Sequence, residues 1–213
     1  MMKFYMTPGS CSTGIHILLE EVGLVFEVHI VNLMQGDQHQ PDYLAINPKG
    51  TIPTLLRDDN VALTSFQTIA WWLAKAYPKR KLLPEDLDAE LRVLDMMNYA
   101  VNTLHGEGFT RIFTTDKYSS NTAQHEVIQA QGREIIDNGF AIVNNILAAS
   151  ASVYVVDKLS IADAALFYVE FWAKHIDIPL PEHCEAHFQA MLKRPAVRQV
   201  LMEEGYSSYV TEK

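Results

Sequence analysis

The residues best suited to chemistry sit near the start of the chain, in the string Pro8-Gly9-Ser10-Cys11-Ser12. Proline and glycine make the string a turn. The apolar positions that follow, Ile15, Leu18, Leu19 and Val22, recur at helical spacing, so Cys11 falls at a helix N-terminus. Unpaired amides and the helix dipole favour negative charge there. A cysteine so placed can be held as a thiolate, and either it or the flanking hydroxyls of Ser10 and Ser12 can hydrogen-bond a bound thiolate. Ser, Cys and Ser are equally what a simple helix cap looks like. A second polar set, Asn98, Asn102 and His105, would share one face of an α-helix and could project into a cleft between domains. His105 can equally bond a neighbouring helix. The remaining histidines, His175, His183 and His187 among them, show no metal-ligand spacing, and no metal is expected.

The first eighty residues alternate strand-like and helical patterns. Lys3 to Met6 reads as a buried strand, the helix after Cys11 ends at Gly23, and Phe26 to Leu33 alternates as a second strand does. A polar excursion with Gly36 and Pro41 follows. Thr54-Leu55-Leu56 and Val61-Ala62-Leu63 then flank a polar turn as an antiparallel hairpin. Thr64 or Ser65 can cap a helix over Ile69, Trp72, Leu73 and Ala76 that Pro78 stops. The order is βαβ then ββα over residues 1–79. Residues 80–88 break every periodicity and read as a linker.

Residues 89–213 carry only helical patterns. Leu91, Leu94, Val101 and Leu104 mark one long amphipathic helix, and Ile128, Ile135, Ile142 and Ile146 mark another. Ser160-Ile161-Ala162-Asp163 has capping-box spacing, and the run Ala164 to Trp172 is apolar almost all round, as a central buried helix requires. Two further helices fall around Cys184 to Lys193 and Pro195 to Glu204, and the tail from Tyr206 is expected to be loose.

A chain of 213 residues can bury a full core. Its 26 acidic and 17 basic side chains give a net charge of −9, which repels phosphate backbones and anionic membranes, so neither nucleic acid nor membrane is an expected partner. The first residues lack the apolar run of a signal peptide and two cysteines make no disulfide framework, which points to the cytoplasm.

Three strings, Pro8-Gly9-Ser10-Cys11-Ser12, Asn47-Pro48-Lys49-Gly50-Thr51-Ile52-Pro53-Thr54-Leu55 and Ser160-Ile161-Ala162-Asp163, together resemble the cytosolic glutathione transferases in order and spacing. With Asn98 and His105 on the first long helix, the chain is most similar to the bacterial beta class. The resemblance spans nearly the whole sequence. It implies a thioredoxin-like α/β domain followed by an all-helical bundle, with Pro53 cis and the backbone of Ile52 pairing with the cysteinyl part of glutathione like an added strand. Cys11, Ser10 and Ser12 would lie beside the glutathione sulfur, His105 would contact the sulfur or the electrophile, and Asn98 would help to hold the ligand. Phe109, Ile112 and Phe113 would line an apolar electrophile site in the inter-domain cleft. Asp163 would be structural. A homodimer is implied as well.

Two anchors of the family pattern differ here. The helix after Thr64 usually opens with an acidic or amide residue and a serine that grip the γ-glutamyl end, whereas Ser65 and Phe66 stand here, with Gln67 one residue further on as a substitute. The basic residue that usually meets the glycyl carboxylate is replaced by Gln35, with His39 nearby. At about 1.5 kcal/mol per lost charge-assisted contact, affinity for glutathione would fall about a hundredfold. Three functions are therefore carried forward: conjugation of the glutathione thiolate to apolar electrophiles, thiol transfer through Cys11 itself, and a non-catalytic binding protein with the same fold.

Overall fold

The computed structural model describes residues 1–211 and divides into two compact units, Met1–Leu83 with the chain from Ala190 onward, and Pro84–Gln189. The first unit begins β1 (Met2–Met6), α1 (Ser12–Val22) and β2 (Phe26–Ile30), followed by a short helix α2 (Pro41–Leu44). The hairpin β3 (Thr54–Leu56) and β4 (Ala62–Leu63) leads into α3 (Phe66–Ala76). The described strands form one sheet in the order β2-β1-β3-β4, with β1 parallel to β2 and antiparallel to β3. The expected βαβ-ββα order is what forms. Phe4 and Met6 alternate inward from β1 onto Ile15, Leu18 and Leu19 of α1, all essentially inaccessible. Gly23, left-handed at φ 73°, closes α1 by donating to Leu19 and Glu20 carbonyls.

In the second unit α4 (Leu87–Asn98) runs into a π-helical segment (Tyr99–Phe109) and then α5 (Thr110–Phe113). α6 (His125–Ala148) and α7 (Ile161–His175) complete its long helices, and α8 (Glu182–Leu192) leads out of it. Every residue of α7 from Ile161 to Ala173 is buried, as its unbroken apolar run predicts. Asp163 Oδ2 accepts from the Ser160 amide at 2.7 Å and its hydroxyl at 2.8 Å, and Oδ1 accepts from the Val155 amide at 2.8 Å, so Asp163 holds the helix start.

Three expectations change. The α6 stripe that is buried runs through Gly132, Ile136, Gly139, Phe140 and Val143, while Ile142 and Ile146 are 49% and 41% exposed. The reason is close approach to the π segment: a Cβ at Gly132 would stand 2.8 Å from the Gly108 carbonyl, and one at Gly139 would collide with Leu104. Glycine carries no hydrophobic signal, so periodicity chose the wrong face. The chain from Ala190, grouped by periodicity with 89–213, belongs to the first unit. There α9 (Pro195–Glu203) buries Val197, Val200 and Leu201, and Arg194 forks onto Glu21 of α1 at 2.6 and 3.0 Å. The tail is not loose either: Tyr206 donates its amide to Leu201 at 2.7 Å, and α10 (Ser208–Thr211) follows.

Candidate functional site

The loop between β1 and α1 is tied down by hydrogen bonds at Thr7, Gly9, Ser10 and Cys11. Ser10 donates its hydroxyl to the Thr7 carbonyl at 2.6 Å, accepts from the Ser12 amide at 3.1 Å, and lies 2.9 Å from the Ser12 hydroxyl. The single Ser10 hydrogen is thus engaged inside the loop, by the Thr7 carbonyl and the Ser12 hydroxyl. Ser12 is fully buried. Gly9 stands at φ +70°, and a Cβ there would collide with the Tyr206 hydroxyl. Its amide donates to Glu204 Oε2 at 2.7 Å, the same oxygen that accepts from the Thr13 hydroxyl at 2.7 Å, while Glu204 Oε1 meets His16 Nδ1 at 2.9 Å. Glu204 and Tyr206 were invisible to the sequence reading, because nothing local signals a contact across about 190 residues.

Cys11 occupies the N-cap position of α1 and is 8% exposed. Its thiol donates to the Ile52 carbonyl at 3.6 Å. Burial pushes the thiol up to about 12, with the Cys11 and Ser12 backbone amides pulling the other way. Removal from water outweighs the helix N-terminus, which favours the thiol over the thiolate that the position allows.

Ile52 and Pro53 are joined by a cis peptide bond. The Asn47-Pro48-Lys49-Gly50 turn shapes this segment, with Asn47 Nδ2 donating to the Thr51 carbonyl at 2.7 Å and the Thr54 hydroxyl at 3.0 Å. Tyr43, on α2, donates to the same carbonyl at 2.6 Å. The structure thus brings Cys11, Ile52 and Pro53 together. At the start of α3 the Ser65 hydroxyl caps the helix, accepting from the Thr68 amide at 3.4 Å and lying 2.8 Å from the Thr68 hydroxyl. Phe66 turns its ring into the core, and Gln67 is half-buried in the first turn of the helix. Gln35 is exposed in the turn that Asn32 Oδ1 organises.

In the second unit the π segment separates what an α-helix would align. Winding by i→i+5 carries about 4.4 residues per turn, so the seven steps from Asn98 to His105 leave them about 150° apart rather than about 20°. Asn98 and Asn102 are exposed, whereas His105 turns inward. Its Nδ1 lies 3.2 Å from the Tyr168 hydroxyl and its ring stands edge-on to Trp172 at 4.8 Å. Burial, and secondarily Lys117, lowers His105 to about 4, so it is neutral at pH 7. Phe109 and Phe113 stack at 5.6 Å, and both meet Trp172 at 5.4 Å. Phe113 is 47% exposed while Phe109 is buried, and Ile112 leans on α6 instead. Tyr168 and Trp172 were missed as site residues, although their spacing of four on α7 puts them on one face.

A thiol at a helix N-terminus beside a cis-proline edge, on a βαβ-ββα unit accompanied by a helical unit, is the layout of one family, and sequence agrees. Residues 9–76 match the family model for the glutathione S-transferase N-terminal domain. The chain is 35% identical over 208 residues to the glutathione S-transferase GstA of Escherichia coli O157:H7, covering 96% of this chain and 99% of that one. It belongs to the glutathione S-transferase family. Among solved structures, a glutathione transferase homologue from Sulfitobacter with bound glutathione superposes with a TM-score of 0.86 at 28% identity over 95% of this chain and 98% of that one. The enzyme from Xylella fastidiosa does so with 0.87 at 25% identity, covering 96% and 99%. None of the helices in the described residues is long and apolar enough to cross a membrane.

Proposed function

We propose that this protein is a glutathione transferase that joins the glutathione sulfur to an apolar electrophile. The observation that carries the reading is the meeting of the Cys11 thiol with the carbonyl before cis-Pro53, 3.6 Å apart. An extended cysteinyl backbone pairing with Ile52 puts its own sulfur beside Cys11. With the Ser10 hydrogen engaged inside the loop and Ser12 fully buried, Cys11 is the group that can turn its S–H toward a glutathione thiolate and lower its energy. The thiolate attacks the electrophile, a carbon–sulfur bond forms, and a leaving group such as halide departs with the bonding pair. The α3 N-terminus with Ser65, the Phe66 amide and Gln67 receives the γ-glutamyl carboxylate. Gln35 is the polar side chain offered to the glycyl end, and Asn98 takes no part. Phe109, Phe113 and Trp172 supply an apolar surface for the electrophile, with neutral His105 as a hydrogen-bonding group at its edge. The site asks for no metal, and the reading includes a cytoplasmic homodimer. Leu87 and Leu91, one turn apart on α4 and 67% and 53% exposed, support association.

The test is conjugation of glutathione to a chromogenic aryl halide. A rate above background is expected. Cys11→Ala should lower kcat/KM about ten- to a hundredfold, and Cys11→Ser, which keeps a donor, should retain most of it. Loss of activity in both variants, with a mixed disulfide trapped on the wild type, would favour thiol transfer through Cys11. No glutathione binding at several millimolar would leave the non-catalytic reading.

A further inference from the structure

Beside Glu204, where α9 meets α1, a second cluster has no part in the reading above. His16 and Glu20 lie one turn apart on α1, and Glu203 ends α9. One ligand atom from each falls within 4.8 Å of the others. His16 is 97% buried, and its Nε2 makes no hydrogen bond among the described residues although Glu203 Oε2 stands 3.3 Å away. The opposite ring nitrogen is committed to the Glu204 carboxylate at 2.9 Å. With Nδ1–H donated to Glu204, the Nε2 lone pair faces carboxylates, a repulsive arrangement unless a positive charge lies between them. Arg194, the cation reaching this helix pair, is already forked onto Glu21.

We propose that His16, Glu20 and Glu203 form a binding site for a divalent transition-metal ion of the zinc type, which pins α9 to α1. Three features support it. One imidazole and two carboxylates are donors that zinc accepts. Donors about 2.1 Å from a tetrahedral ion stand about 3.4 Å apart, close to the spacing of His16 Nε2 and Glu203 Oε2. A carboxylate on the far nitrogen, here Glu204, is how ligating histidines are oriented. The sequence reading missed the site because His16 and Glu20 alone are an ordinary helical pair, and the third ligand lies 183 residues further on.

Calorimetric titration of chelator-treated protein with Zn2+ tests the proposal. One site in the micromolar range or tighter is expected. Glu20→Gln and Glu203→Gln, both at solvent-accessible side chains, should each weaken binding at least tenfold, while Glu126→Gln and Cys11→Ser leave it unchanged, which separates the site from the thiol. At a hundredfold excess over Kd, Zn2+ should raise the wild-type Tm by several degrees and that of Glu203→Gln far less. No binding up to about 1 mM, or equal affinity in wild type, Glu20→Gln and Glu203→Gln, would overturn the proposal.

Discussion

Two buried carboxylates do the same job in the two units by opposite routes. Glu204 gathers a backbone amide, a hydroxyl and a histidine from Gly9, Thr13 and His16, and Asp163 gathers the same three kinds of partner from Ser160, Val155 and His187. Asp163 reaches no further than 24 residues, and its serine lies three positions away in a helix-start motif. Glu204 reaches across 188 to 195 residues. The charge balance differs too. His187 is wholly buried between Asp163, at 3.2 Å, and Glu170, at 2.7 Å, whereas His16 shares its carboxylates with solvent through Glu203. The first arrangement is a core, and the second is a latch on the thiol loop.

Removing each carboxylate separates the two roles. Asp163→Ala strands two amides, a hydroxyl and a buried histidine, and should cost about 4–5 kcal/mol in urea unfolding while KM for glutathione stays near wild type in whatever fraction folds. Glu204→Ala should cost about 3 kcal/mol and, unlike Asp163→Ala, raise KM for glutathione, since the freed Gly9 amide lets the Cys11 loop move.

A pH series sharpens the contrast in charge. Burial alone would keep His187 neutral, but Glu170 and Asp163 together hold it up to about 10. A histidine raised on folding adds stability that is complete below its unfolded value of about 6.5 and disappears as pH climbs through about 10. Tm should therefore fall from pH 7 to pH 10, and His187→Gln should flatten that decline. The smallest effect is kinetic. With the Cys11 thiol near 12, alkylation of the ligand-free protein by iodoacetamide should be slow at pH 7 and rise with pH without a midpoint below 9. A midpoint near pH 6 would restore the thiolate that the helix N-terminus suggests.

What could be read from sequence follows the same division. The βαβ-ββα order, the Ser160-Asp163 cap and the buried α7 rest on neighbours in the chain, and pattern sufficed for them. The Asn47 turn is as local, its bonds to Thr51 and Thr54 closing within seven residues, but its string entered the sequence analysis only through the family resemblance. The π segment did not announce itself, because its apolar positions fit an α-helix well enough, and with it went the supposed alignment of Asn98 with His105. The face of α6 was misjudged because glycine, not isoleucine, marks its contact. Ser12 was legible as a site residue but points inward, and Glu204, Tyr206, Tyr168 and Trp172 became visible only when distant segments were seen together.

The long reach of Glu204 also bears on how the protein is made. A ribosome adding about 5–20 residues each second delivers Glu204 and Tyr206 roughly 10–40 s after Gly9. Until then the nascent β1–α1 loop lacks the acceptor for its Gly9 amide and the ring that packs on it. The thiol loop is therefore finished only by a segment made 195 residues after it.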